Sequence, residues 1–179
     1  MAEQDRERWD TKHAALGAGT PQPPDALRGR LDLLPATGRA LDVACGRGSV
    51  AVWLAEHGLD VVAVDVSPAG LAAGAELAAG REVRVRWVEA DLDAGFPAEE
   101  SRYDVVVCQR FRDPALYPAL RDALAPGGLL VVTVLSEVGD SGGRFRAEPG
   151  ELARAFAGLE IIEHHEGDGG ARLLARAPA

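Results

Sequence analysis

Lysine is almost missing from this chain. Of its 19 basic residues 18 are arginine, and 28 carboxylates outnumber them to give a formal net charge of −9. A surface of that sign is repelled by phosphate backbones unless its arginines gather in one patch, and no long basic run occurs, so nucleic acid is not an expected partner. Cysteine is equally scarce. Cys45 and Cys108 lie far apart without metal-ligand spacing, and each is expected to be a reduced, buried thiol. The histidines His13, His57, His164 and His165 include no pair at metal-binding helical spacing, and adjacent residues on a strand face opposite sides. No metal site is expected. The longest apolar runs, such as Leu129–Leu135, are too short to span a bilayer. Met1–Trp9 is charged and lacks the apolar core of a signal peptide, which points to a cytoplasmic protein without a membrane partner.

What remains is globular. A chain of 179 residues, 47 % of them hydrophobic, fits one domain with a sizeable core. The Pro-rich stretch Thr20–Asp25 sets off an N-terminal arm, residues 1–25, from a single domain over 26–179. Within the arm, Gln4–Leu16 is charged, with Trp9 and Leu16 as its main large apolar residues. This pattern suits a short helix laid over something else, here expected to be a mobile lid.

From Arg39 onward strand and helix patterns alternate. Ala40–Ala44 is apolar, and Val50, Trp53, Leu54 and His57 then follow helical spacing up to Gly58. Val61–Val64 is β-branched and ends at Asp65. Ser67-Pro68 reads as an N-cap with proline in the first turn. Further strands are expected over Val83–Trp87, Val105–Cys108, Leu129–Leu135, Leu159–His164 and Arg172–Ala177. A helix is expected from Asp113 with the stripe Leu116, Leu120, Leu124, and a short one near Glu151–Ala157. Alternation at about twenty-residue spacing predicts an α/β, Rossmann-like, doubly wound, mostly parallel sheet with helices on both faces. Ligands of such sheets sit at the carboxyl ends of the strands, beside Cys45–Gly48, Asp65, Asp91 and Cys108–Arg112.

The segment Leu41-Asp42-Val43-Ala44-Cys45-Gly46-Arg47-Gly48 provides a glycine turn through which a cofactor could press on bare backbone. Asp65 is placed for a ribose anchor about twenty residues later. Nicotinamide enzymes share that acid, but their G-x-G-x-x-G turn is replaced here by Ala44, Gly46 and Ser49. The turn resembles motif I of class I S-adenosylmethionine-dependent methyltransferases, departing from it at Ala44, where many members have glycine. Glu89-Ala90-Asp91-Leu92 resembles the family's adenine-holding turn, and Leu124-Ala125-Pro126-Gly127-Gly128-Leu129 its junction before strand five. Trp9-Asp10-x-Lys12-His13 and Glu148-Pro149-Gly150-Glu151-Leu152 look like small bacterial members of the tellurite-resistance type.

The resemblance implies a seven-stranded sheet with an antiparallel last strand and S-adenosylmethionine as cofactor. It also implies a cofactor site made of Asp42, Ala44, Cys45, Gly46, Gly48, Asp65, Val66, Asp91, Leu92, Cys108, Trp9 and His13. Asp42 would meet the cofactor's amino group, Asp65 its ribose and Asp91 its adenine. Gln109–Arg112 follows strand four, where relatives face the methyl acceptor, so Arg110, Phe111 and Arg112 are acceptor-site candidates together with the loop Ser136–Phe145. Their structural alternatives are turn-forming carboxylates, core tryptophans (Trp53, Trp87) and surface arginines in an acidic protein. No catalytic base stands out among Asp113, His13 and His165. The expected function is in-line methyl transfer to a small-molecule acceptor by a monomer or homodimer. A nicotinamide-dependent reductase and a non-catalytic S-adenosylmethionine-binding regulator are the alternatives.

Overall fold

The β-branched and apolar runs form strands in the computed structural model, which describes residues 2–17, 19–95, 102–140, 143 and 145–179. The seven strands form one mixed sheet in the order β3-β2-β1-β4-β5-β7-β6. They are β1 (Gly38–Val43), β2 (Leu59–Asp65), β3 (Val85–Glu89), β4 (Tyr103–Gln109), β5 (Leu124–Leu135), β6 (Glu160–Gly167) and β7 (Gly170–Arg176). The helices are α1 (Ala2–Ala14), α2 (Ser49–Glu56), α3 (Pro68–Gly80), α4 (Tyr117–Asp122) and α5 (Glu151–Ala155). This is the expected α/β fold, and β7 is antiparallel to β5 as the resemblance implied. Among the described residues no helix is long and apolar enough to cross a membrane.

The chain divides into two compact units, Met1–Pro23 with Ala36–Glu100 and Pro24–Pro35 with Ser101–Ala179. In the first, β1, β2 and β3 pair in parallel, α2 packs on β2, and α1 packs on α3. In the second, β4 and β5 are parallel, while β6–β7 and β7–β5 are antiparallel. Its short 3-10 turn Asp25–Leu27 buries Ala26 and Leu27 and packs against β5 and β7.

Three segments differ from the sequence reading, each for a local reason. Strand three starts at Val85 rather than Val83, because the Val83 N–H donates to Ala78 O and closes the end of α3. Glu82 makes that turn at φ 56°. The helix expected from Asp113 is broken into a 3-10 turn, Pro114–Leu116, followed by the six-residue α4. Pro118 has no N–H to donate to the preceding turn, which is tolerated only in the first turn of a helix, and it stands there in α4. Leu124 leaves the helical stripe for β5, where it pairs with Tyr103. The Pro126-Gly127-Gly128 segment is taken up as an irregularity between the Tyr103–Leu124 and Val105–Leu129 pairs.

Trp87 is a packing residue. A Cβ placed on Gly74 of α3 would lie 2.5 Å from its ring, so the indole occupies the space that this glycine leaves open. A helical Gly→Ala change ordinarily stabilises by about 1 kcal/mol. Gly74→Ala should instead destabilise by about 1–3 kcal/mol through overpacking. In a Trp87→Leu background the same change should become neutral or stabilising. Thermal unfolding of the four proteins of this double-mutant cycle measures the coupling.

Candidate functional site

Between β1 and α2 the chain turns through Ala44 (φ 54°), Gly46 (φ 55°) and Gly48 (φ 70°). The turn is pinned by Cys45 N–H donating to Val64 O at 3.0 Å and Gly48 N–H to Cys45 O at 2.9 Å. Ala44 holds a left-handed conformation that an L-residue adopts at a cost, at the position where the family resemblance has glycine. Close approach also requires Gly70, where a Cβ would stand 2.7 Å from Gly46 O.

Two carboxylates are buried here. Asp65, 7 % exposed, accepts from Gly46 N–H at 2.7 Å through Oδ2 and from Ser67 N–H at 2.9 Å through Oδ1. A carboxylate has about four acceptor sites, so each oxygen keeps one in reserve. Asp42 is 2 % exposed and takes the Ala51 N–H, one of the donors that the first turn of α2 leaves unpaired. Its Oδ2 has no partner. Burial, and then the neighbouring Asp65 charge, push the Asp42 carboxyl up to about 8. Burial followed by the two carboxylates raises the Cys45 thiol as well. Cys45 is a free, half-buried residue rather than a fully buried one, and its raised thiol is unsuited to nucleophilic work.

The arm reaches this turn. Asp10 Oδ1 accepts from Ser67 Oγ at 2.5 Å and from Ala69 N–H at 3.1 Å, which tethers α1 to the start of α3. The Ser67 hydroxyl, and then the Ala69 N–H against the cost of burial, lower the Asp10 pKa. His13 lies over the glycines, since a Cβ on Gly70 would be 3.2 Å from its ring and one on Gly46 would be 3.4 Å away. Burial lowers its pKa, the Asp65 charge works against that shift, and its Nδ1 has no partner. Trp9 stacks on His13 with ring centroids 5.7 Å apart. Val66 is half-buried and Leu92 buried. Asp91 accepts from Asp93 N–H at 3.0 Å through Oδ1, beside the Glu89–Arg6 pair at 3.2 Å.

The other candidates belong to the second unit. The buried Cys108 thiol donates to Phe111 O at 3.6 Å. Arg110 is left-handed (φ 60°); its N–H donates to Thr133 O at 2.7 Å, and its side chain is 75 % exposed, 3.5 Å from Asp25. Half-buried Phe111 follows. Arg112 donates twice to Glu151, Nε to Oε1 at 2.8 Å and Nη2 to Oε2 at 2.6 Å. Tyr117 OH and Glu148 N–H complete the Glu151 carboxylate. Burial alone would raise the Glu151 pKa, but the hydrogen bonds from Arg112, Tyr117 and Glu148 hold it below the usual range. The two arginines therefore differ in kind, Arg112 held in a bidentate ion pair with Glu151 and Arg110 exposed in a longer pair with Asp25. The loop Ser136–Phe145 lies partly outside the described residues.

Sequence reasoning overlooked Asp10 and Glu151 as working residues. Both stand inside motifs it had quoted, yet Ser67 and Arg112, their partners, are 57 and 39 positions away. No local spacing could connect them.

A family model described as "Methyltransferase domain" matches residues 40–128. The chain is 32 % identical over 181 residues to a ubiquinone biosynthesis O-methyltransferase of Xanthomonas oryzae pv. oryzae, covering 94 % of this chain and 66 % of that protein. It is 35 % identical over 95 residues to the ribosomal RNA small subunit methyltransferase C of Alcanivorax borkumensis, covering 53 % of this chain and 28 % of the relative. The chain thus spans between about a quarter and two thirds of these relatives' length. TehB from Haemophilus influenzae shares the fold, with a TM-score of 0.73, 19 % identity, and coverage of 84 % of this chain and 61 % of that one. The chain belongs to the class I S-adenosylmethionine-dependent methyltransferases, a family of enzymes whose cofactor is S-adenosylmethionine.

The Asp42 geometry has a measurable consequence in the ligand-free protein. A carboxyl at about 8 in the fold against 3.8 unfolded means that the native state binds the extra proton between those values. The associated stability is complete below pH 4 and is lost as pH rises toward 8. Asp42→Asn removes the titration. Its stability relative to the parent should grow from pH 5 to pH 8, by up to about 1.4 kcal/mol per pH unit. Urea unfolding at several pH values checks this, and a pH-independent difference would contradict it.

Proposed function

We propose that this chain transfers the methyl group of S-adenosylmethionine to a small-molecule acceptor by in-line displacement. The observation that carries the reading is the buried Asp42 oxygen without a partner, next to a glycine turn cradled by Asp65. A cationic, ribose-bearing cofactor is the chemistry that such a turn accommodates. It offers an acceptor for an ammonium, spare carboxylate lone pairs for hydroxyls, and bare backbone at Gly46 for close contact.

The chemistry supplied by the bound cofactor is an electrophilic methyl on a sulfonium, so the protein need not activate a leaving group. Asp42 holds the amino group and Asp65 the ribose hydroxyls. Val66 and Leu92 form apolar walls for the adenine, and the free Asp91 oxygen accepts from its amino group. The residue 1–25 arm, hooked by Asp10 onto α3 with Trp9 and His13 over the turn, serves as a lid that excludes water. Positioning and water exclusion then supply much of the acceleration.

The acceptor in this reading is small and anionic or thiol-bearing. An O-methyltransferase of ubiquinone biosynthesis among the relatives supports a small molecule. The ribosomal RNA enzyme supports the rival, but a net charge of −9 opposes a polyanion. Arg110, exposed and held in a strained conformation, is the cation offered to the acceptor, with Phe111 beside it. Arg112 orients this segment through Glu151. No general base is assigned, since an acceptor already ionised needs none.

Isothermal titration with S-adenosylhomocysteine tests the cofactor, and Asp65→Asn should weaken binding by about 2–4 kcal/mol through lost charge-assisted contacts. Radiolabelled S-adenosylmethionine with an acceptor panel tests the reaction. Arg110→Ala should raise the acceptor KM about fivefold, the scale of an exposed ion pair, and leave cofactor affinity unchanged. Labelling of ribosomal RNA in preference to small acids and thiols would reject the acceptor class. Binding without turnover on any acceptor would favour a regulatory protein.

A further inference from the structure

The segment that follows the Pro-rich stretch is fastened to the carboxyl end of β4. The Asp25 N–H donates to Gln109 Oε1 at 2.8 Å, and Ala26 and Leu27 next to it are buried. This places the half-buried Asp25 carboxylate beside Arg110, the residue after Gln109. Its two oxygens meet two different cations. Oδ2 lies 3.5 Å from Arg110 Nη2, and Oδ1 accepts from Arg28 Nε at 3.3 Å. The Arg110 backbone is held separately, at φ 60° with its N–H on Thr133 O, so the guanidinium can change partner while the chain stays in place. With 75 % of the Arg110 side chain exposed, its pair with Asp25 is a weak one. Giving up Arg110 leaves no bare charge behind, because Arg28 still neutralises the Asp25 carboxylate. The cation at the end of β4 is thus occupied by an anion of the chain itself, on terms that a ligand anion can match.

We infer that Asp25 is a specificity-determining residue of the acceptor site: it occupies Arg110 in the ligand-free protein, and an anionic acceptor binds by taking its place while Asp25 falls back on Arg28. The inference rests on the reading of Arg110 as the cation offered to the acceptor. The exchange swaps one ion pair for another, with no covalent change and no proton moved. Its consequence is selection by charge. An uncharged acceptor gains nothing at Arg110 and leaves the internal pair closed, whereas an anion opens it for the loss of one weak contact.

The test compares the full chain with Asp25→Asn, which keeps the N–H that Gln109 holds and removes the competing charge. Both are saturated with S-adenosylhomocysteine, so that no turnover occurs, and titrated with thioglycolate or with 2-mercaptoethanol, which carries the same thiol without the carboxylate. Saturation-transfer NMR on the probes gives the affinities. Asp25→Asn should bind thioglycolate about two- to fivefold more tightly than the parent, the scale of an exposed ion pair, and 2-mercaptoethanol no differently. An unchanged S-adenosylhomocysteine affinity shows that the variant is folded. In an Arg110→Ala background the gain should vanish, whereas a charge acting through space without exchange would leave it in place. Equal thioglycolate affinity in parent and Asp25→Asn, or a gain that survives Arg110→Ala, overturns the inference and leaves the methyltransferase reading standing. Thioglycolate that binds neither protein rejects Arg110 as the acceptor's cation and the inference with it. A parent chain that fails to bind S-adenosylhomocysteine overturns the methyltransferase reading as well.

Discussion

The Asp65 carboxylate links the glycine turn to the head of α3 and, through Ser67, to the arm. Through Oδ2 it fixes Gly46 N–H of the glycine turn, and through Oδ1 it fixes Ser67 N–H at the head of α3. Ser67 in turn accepts from Gly70 N–H and donates to Asp10 of the arm. One buried acid thereby sets the turn, the start of the next helix and, at one remove, the placement of α1. Backbone donors bound to a carboxylate form charge-assisted bonds stronger than neutral ones, which suits a turn built from residues with little side-chain packing of their own.

Steric complementarity supports the same turn from the other side. Trp87 of β3 fills the space left by Gly48 and Gly74, and Gly70 admits the Gly46 carbonyl. Gly70 and Gly74 of α3 are therefore packing residues, although in a helix they cost conformational entropy. The turn can present bare backbone on one face because an indole and a carboxylate hold it from behind.

Much of this was legible in the sequence. The Ser67-Pro68 cap, the β-branched β2 run and the acid at its end are short-range signals that carry their own physical reason. The Ser67 side chain accepts from Gly70 N–H as an N-cap should. The Asp113 helix was misread because its apolar stripe outweighed the Pro118 that interrupts it. At the site, the types of residue could be named but not their states. The pattern that marked Arg110 and Arg112 as equivalent arginines held no trace of Glu151, which separates them. Likewise, the Asp42 carboxyl acquires its raised pKa from burial and from Asp65, 23 positions later, and neither can be read from spacing alone.

The two acids of the first unit illustrate how one residue type serves opposite purposes. The Asp65 oxygens each hold a backbone N–H, so its charge is compensated in place. Asp42 has one helix N–H and an unpaired oxygen, so its charge is left for something else to neutralise. A buried charge without a partner is destabilising, and at neutral pH the raised pKa relieves this by keeping a proton on the group. An ammonium delivered to Asp42 supplies the missing counter-charge and displaces that proton. In the proposed mode the fold thus keeps Asp42 protonated until the cofactor's ammonium takes the proton's place. Because Asp42 in that mode meets the amino-acid end rather than the sulfonium, cofactor and demethylated product would make the same contacts there. Binding at that end is uniform between ground and transition states; it positions the methyl group without itself lowering the barrier. In the proposed mode, discrimination at the reacting centre is then left to the contacts made with the acceptor.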